Sequence, residues 1–203
     1  MNTGVKEVFL MSKKSKAPVG IIAEDDSDFD SARRLIRRIS SNDRIGFHKF
    51  IGKGCGKIKR KCHAWATELK RKGCVTLVLI HDSDSNNLIA LRQKLQDALA
   101  PSPIKKHLIC IPVQEFEAWL LSDPEAIRKG LNLRKKPVVK GPPELINSPK
   151  EHLALLIHRA SDGEKIYLNT EHNVKIAEEL SIDKARQLCP SFLPFYDFIQ
   201  EHI

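Results

Sequence analysis

Asp82 and Asp84, one residue apart in His-Asp-Ser-Asp-Ser, follow closely on an unbroken run of apolar or β-branched residues, Val75–Ile80. Two like charges at this spacing repel each other and pay for desolvation unless a proton or a cation compensates. The pair therefore reads as a site for a divalent metal, with an acidic turn capping the next helix as the structural alternative. Two more apolar stretches end in acid. Glu24, with Asp25, Asp26 and Asp28 behind it, closes Ala17–Ala23, and Glu115 and Glu117 follow Leu108–Val113. One acidic strand tip is commonplace, whereas several in one small sheet would build a shared anionic pocket that is costly without metal. Glu24 at a strand tip and Asp28 in the first helical turn can face one crevice, although the helix dipole also favours Asp28 there. Glu117 is the preferred ligand after the third of these strands and Glu115 the reserve, because i and i+2 point to different helix faces.

The elements that must carry these residues are legible from periodicity. Val75–Ile80 predicts a strand buried on both faces of a parallel sheet, and acid at its carboxyl end sits where open α/β sheets place ligands. Arg44–Ile51 is a less regular second strand. Ser27 with Asp30 predicts a capping-box start for a helix whose Phe29, Ala32, Ile36 and Ile39 face inward. Gly52–Lys57 predicts a basic loop without Walker A spacing, and Lys57–Arg71 a basic helix burying Ile58, Cys62, Trp65 and Leu69. Leu88–Leu99 aligns Leu88, Leu91, Leu95 and Leu99 on one face. Leu131–Pro149 reads as an exposed basic connection, followed by helices over Pro149–Ala160, Glu171–Leu180, Ile182–Leu188 and Ser191–Ile203. The expected fold is α/β, a central, mostly parallel sheet flanked by helices over 17–130. Residues 131–203 add a basic linker and a helical C-terminal extension, and residues 1–16 a disordered basic lead-in.

The formal net charge is +9, from 34 Lys+Arg against 25 Asp+Glu. The cations cluster at Arg33, Arg34, Arg37 and Arg38; at Lys53, Lys57, Lys59, Arg60 and Lys61, with Lys70, Arg71 and Lys72; and again from Arg128 to Lys140. Basic clusters beside an acidic site point to a polyanionic partner, since phosphate contacts dominate nucleic-acid affinity. Lys53, Lys57, Lys59, Arg60 and Lys61 are the expected nucleic-acid-binding residues. Five cysteines without a Cys-x-x-Cys pair argue against a disulfide framework or structural zinc, and favour a reducing cytoplasm. No apolar run approaches the roughly 20 residues of a bilayer span, and the amino terminus lacks signal-peptide features, so no membrane partner is expected.

Glu24 with Asp28 downstream, and Asp82 and Asp84 in HDSDS, resemble the TOPRIM domain shared by primases, topoisomerases and OLD-type (overcoming lysogenization defect) nucleases. Asp25 stands where that family usually has glycine. The remainder is similar to small TOPRIM-like proteins often encoded beside an AAA/ABC-type ATPase in phage-defence gene pairs. The runs that carry this are EAWLLSD, from Glu117 to Asp123, and CPSF, from Cys189 to Phe192. The resemblance extends from about Ala17 to the carboxyl terminus. It implies an Mg²⁺- or Mn²⁺-dependent endonuclease acting on DNA rather than RNA, with Glu24, Asp82 and Asp84 catalytic. Two-metal hydrolysis would use Glu24, Asp28 and Glu117 on one ion, and Asp82 and Asp84 on the other or in a bridging position. The lysine such proteins carry near Tyr167 has no obvious equivalent; Asn169 lies in its region, with Lys165 and Lys175 as candidate cations. Two other classes stay open. One is a non-catalytic nucleic-acid-binding or toxin-like partner of an ATPase. The other is a response-regulator receiver, against which stand the SDSNN after Asp82 and the lack of a Lys-Pro ending an apolar strand.

Overall fold

Strands rich in Val, Leu and Ile need helices over both faces, and the chain supplies them in three layers. The computed structural model describes residues 17–203 apart from Gly54 and Ser85. The lead-in expected over residues 1–16 lies outside the described residues. Strands β1 (Val19–Ala23), β2 (Phe47–Ile51), β3 (Thr76–Ile80) and β4 (Lys106–Cys110) form one parallel sheet in the order β2-β1-β3-β4. Every residue of the two central strands, β1 and β3, is buried. Val75, expected to open the third strand, is 57% exposed and precedes it. The fourth strand lies earlier than Leu108–Val113: its ladder ends at Cys110, just before Pro112, which has no N–H to donate.

Helix α1 (Asp26–Ile39) covers one face, while α2 (Cys55–Arg71) and α3 (Leu88–Leu99) cover the other. Right-handed crossovers demand this arrangement, because the chain steps outward from β1 to β2 and then doubles back across β1 to β3. Side chains alternate accordingly: Val19, Ile21, Ala23, Val78 and Ile80 pack with α1, and Ile22, Leu77 and Leu79 with α2 and α3. Gly20 lets α2 approach closely, since a Cβ there would lie 3.0 Å from Leu69 Cδ1. Leu88, expected on the inward face of α3, is largely exposed, and Leu91, Leu95 and Leu99 carry the packing.

The N-cap of α1 is Asp25, not Ser27: the Asp28 N–H donates to Asp25 Oδ1 at 2.9 Å. Ser27 is drawn into the first turn, where its hydroxyl donates to the Asn169 carbonyl at 3.0 Å. The C-terminal half adds α4 (Glu117–Leu121), α5 (Pro124–Gly130), α6 (Pro149–Ala160), α7 (Asn169–Glu179), α8 (Ile182–Leu188) and α9 (Leu193–His202) on the α1 side. α7 packs against α1 and α5, and Gly130 permits the latter contact, since a Cβ there would meet the Lys175 carbonyl oxygen at 2.5 Å. Trp119 sits among Phe116, Phe192 and Phe195, with its Nε1 donating to Ser191 Oγ at 2.8 Å. The Ser191 N–H in turn donates to Glu144 Oε1 at 3.1 Å. The 131–149 segment is thus not simply an exposed connection: Leu131, Leu133, Pro143 and Glu144 are buried.

Asp123 locks this half together. It caps α5 through the Glu125 N–H, and accepts from the Ser181 N–H at 3.1 Å and Lys184 Nζ at 2.7 Å. Burial opposes its charge, but these donors outweigh burial and hold its pKa below the usual carboxylate range. Losing a cap costs about 1 kcal/mol and losing a hydrogen bond to a charged group about 1.5–3 kcal/mol, so Asp123→Ala is expected to lose about 2–4 kcal/mol in urea unfolding at pH 7. A carboxyl with a depressed folded pKa stabilises above its unfolded value of about 3.9 and loses this as pH falls through the folded pKa. The gap between parent and variant should therefore close below about pH 4.

Candidate functional site

In an open parallel sheet, the reversal of strand order leaves a crevice at the carboxyl ends of the two strands that flank it. Here those strands are β1 and β3. Glu24 leaves the first and His81-Asp82 the second, so the two acidic tips meet. The Asp82 N–H donates to Glu24 Oε1 at 3.0 Å. His81 Nδ1 lies 2.9 Å from the same oxygen and 2.7 Å from the Asp82 carbonyl. Both neighbours only accept, which assigns the ring hydrogen to Nδ1. Burial opposes protonation of His81, but the hydrogen bond and charge of Glu24 prevail and raise its pKa. Sequence reasoning passed over this histidine.

The remaining carboxylates close in from neighbouring elements. Asp28, in the first turn of α1, is 5% exposed, and Glu117, opening α4, is 4% exposed. Asp82 Oδ1 is fully buried and has no hydrogen-bond partner. Asp28 and Asp82 are both pushed well above the usual carboxylate range. Burial is the main cause for each; then come Asp25, Glu117 and Glu24 for Asp28, and Asp28, Glu117, Glu24 and Asp84 for Asp82. The five expected ligands, Glu24, Asp28, Asp82, Asp84 and Glu117, thus act on one another in a single crevice. Asp84 is at the exposed rim, in a left-handed conformation (φ 45°) that aspartate tolerates better than most residues. Its pKa is raised by burial and by Glu24, against the opposing charges of His81 and Lys59.

The loop bearing the Asp-x-Asp is pinned by the chain beyond β4. The Ser83 N–H donates to the Pro112 carbonyl and the Asp84 N–H to that of Gln114, both at 3.1 Å, and buried Ser83 Oγ accepts from the Gln114 N–H at 2.7 Å. Glu117 is held by α7 and its approach: Oε1 accepts from Tyr167 Oη at 3.1 Å and Asn173 Nδ2 at 3.0 Å. Asn173 Nδ2 also donates to Ser27 Oγ at 2.9 Å, its Oδ1 accepts from Tyr167, and Asn169 Nδ2 donates to Asp25 Oδ2 at 3.1 Å. Burial and the charge of Glu117 raise the Tyr167 phenol far above its ordinary pKa. Glu115 has another task, accepting from the Lys150 N–H at 2.7 Å at the start of α6.

Among the described residues, no three His, Cys, Asp or Glu side chains are spaced to hold an ion as they stand. Lys165 and Lys175 bear on His172, whose pKa burial lowers first and these cations lower further; Lys59 is the lysine whose charge reaches Asp84 and His81. The Gly52 and Lys53 N–H groups donate to the Ala23 and Glu24 carbonyls at 2.8 Å, setting the start of α2 beside the crevice. The side chains of Lys53, Lys57, Lys59, Arg60 and Lys61 make no ion pair or hydrogen bond among the described residues. The α1 arginines, expected to add to a polyanion surface, are spent internally. Arg33 pairs with Asp30, Arg34 with Glu178, Arg37 binds the Ile45 carbonyl, and Arg38 caps α7 through the Ala177 and Leu180 carbonyls.

The sequence model of a family described as a domain of unknown function, DUF4276, matches residues 23–200. The chain belongs to the DUF4276 family. The matched span takes in all five crevice carboxylates and the α2 cations. No curated protein and no solved structure matches the chain.

Packing of this DUF4276 chain gathers charges that repel, so removing one should stabilise it. A carboxyl whose folded pKa is raised costs stability above its unfolded value of about 3.9 and costs none below it. Asp82→Asn in chelator is therefore expected to raise Tm in calorimetry at neutral pH, with the gain shrinking as pH falls towards about 4.

Proposed function

We propose that this chain is a metal-dependent nuclease that hydrolyses phosphodiester bonds of nucleic acid, DNA in preference to RNA, with Mg²⁺ or Mn²⁺ as cofactor. The observation that carries this reading is Asp82 Oδ1, buried without a donor in a crevice with four other carboxylates. Such an oxygen calls for a proton or a cation. The donors fit in type: all five residues offer oxygen, the ligand chosen by hard divalent ions. Glu24, Asp28, Asp82, Asp84 and Glu117 would hold the ions, which when bound would activate water and neutralise the leaving oxygen. Glu24 Oε1 is engaged by His81 and the Asp82 N–H, leaving Oε2 to accept a substrate proton or complete the ligand set. Lys59, at the crevice rim, would hold the phosphate under attack. Lys53, Lys57, Arg60 and Lys61 would grip the backbone without reading sequence. The resemblance to TOPRIM-like, OLD-type proteins extends the proposal to a cytoplasmic effector coupled to an AAA/ABC-type ATPase in antiviral defence. Receiver modules share the β2-β1-β3-β4 order but add a fifth strand; the described residues have four.

The purified chain should nick or cut plasmid DNA with Mn²⁺ or Mg²⁺, alone or with the neighbouring ATPase. Asp82→Ala/Asp84→Ala should abolish metal-dependent cleavage, because it removes the oxygens that would hold the ions, while DNA retention on filters persists. Undiminished cleavage by the double variant would refute the assignment, and retention without any cleavage would favour a non-catalytic binding partner. Replacing Lys57, Lys59, Arg60 and Lys61 by alanine should weaken duplex binding and lower the salt slope of log K by up to roughly 3–4.

A further inference from the structure

A second concentration of unneutralised charge lies on the C-terminal extension. The 135–140 segment and the last turn of α6 flank a shallow, open hollow of about 310 Å³, lined by Lys135, Lys136, Lys140 and Arg159 with Pro137, Val138 and Leu156. Its wall is tied down: Arg134 pairs with Glu164 at 3.3 Å and Lys135 with Asp162 at 2.6 Å, both just beyond α6. Buried Leu133 anchors the same segment, its N–H donating to the Arg128 carbonyl at 2.9 Å.

Asp162 answers Lys135, but the side chains of Lys136, Lys140 and Arg159 make no ion pair or hydrogen bond among the described residues. Lys136 is felt by Glu125, which is itself already paired with Arg128. Val138 is 69% exposed beside these cations. Converging cations repel, and an apolar side chain left in water forfeits burial. A ligand with phosphate oxygens and a flat, weakly polar body relieves both costs, and a nucleotide has both parts. Arg159, nine residues along α6 from Lys150, is about 14 Å down the helix axis at 1.5 Å per residue. The hollow therefore lies at the opposite end of α6 from the Glu115 contact beside the carboxylates.

We propose that this hollow is a second nucleic-acid subsite. It takes a nucleotide unit, with phosphate on Lys136, Lys140 and Arg159 and the sugar or base against Pro137 and Val138. Arginine can grip a phosphate through two parallel hydrogen bonds, and the subsite reads no sequence. It rests on the nuclease reading for the strand's path, but its own test is binding.

Lys136→Ala/Lys140→Ala/Arg159→Ala removes exposed side chains outside the carboxylate crevice and the α2 surface. Fluorescence anisotropy with a labelled single-stranded oligonucleotide and with a labelled mononucleotide, each over a salt series, provides the test. The triple variant should bind the oligonucleotide at least about 10-fold more weakly, with a salt slope lower by about 2, as expected for three lost contacts at roughly 0.7 each. Loss of mononucleotide binding as well would identify free nucleotides as a second source of the same ligand. Oligonucleotide affinity and slope unchanged from the parent, with circular dichroism intact, would overturn the subsite. Cleavage separates the two proposals. A parent chain that cuts while the triple variant binds normally sinks only the subsite; weakened binding by the variant with no cutting by the parent sinks only the nuclease reading.

Discussion

Mutual repulsion among five carboxylates in one crevice is the constraint on which the rest of the structure depends. Each would relax by moving away, so each is held by something stiffer than itself. Glu24 and Asp82 leave adjacent, fully buried strands and are tied by the Asp82 N–H bond to Glu24. Asp28 is fixed by a capped first turn and Glu117 by the start of a buried helix. Folding stability is used to keep charge where an isolated chain would disperse it.

The C-terminal half completes that restraint. Asn173 reaches both Ser27 at the head of α1 and Glu117 at the head of α4, so one amide fixes two of the elements that carry carboxylates. The EAWLL and CPSF runs prove to be parts of one contact. Trp119 Nε1 bonds Ser191, Cys189 Sγ lies 3.6 Å from the Ala118 carbonyl it donates to, and Phe192 packs edge-on to the Trp119 ring. They hold α4, and hence Glu117, in the layer it shares with α5, α6 and α7.

Positive charge is sorted by the same packing. Arginines on α1 vanish into ion pairs and carbonyl caps, whereas α2 keeps its lysines unpaired next to the acid. Composition alone had treated these clusters alike. An exposed pair contributes little stability, but it does decide which cations remain for a polyanion.

Several elements were legible because their signals are local. The limits of α3, α6 and α8 agree with apolar spacing, a proline near the first turn and short connecting breaks. The parallel α/β class follows from apolar runs separated by amphipathic helices, and acid after those runs marked all five crevice carboxylates. Where two neighbours were both competent, local pattern was weaker. Asp25 and Ser27 can both cap a helix, and spacing favoured Ser27, whose hydroxyl is instead drawn to the Asn169 carbonyl. Spacing preferred Glu117 over Glu115, and the structure agrees, with Glu115 engaged by the Lys150 N–H. His81, Tyr167 and Asn173 were not legible at all, because their bonds to Glu24 and Glu117 join residues 50 or more positions apart. Residue type and spacing determined which groups could carry charge and on which element they sit. Only the tertiary structure decided which of them meet, because the meeting is set by strand order and by a helix returning from the far end of the chain.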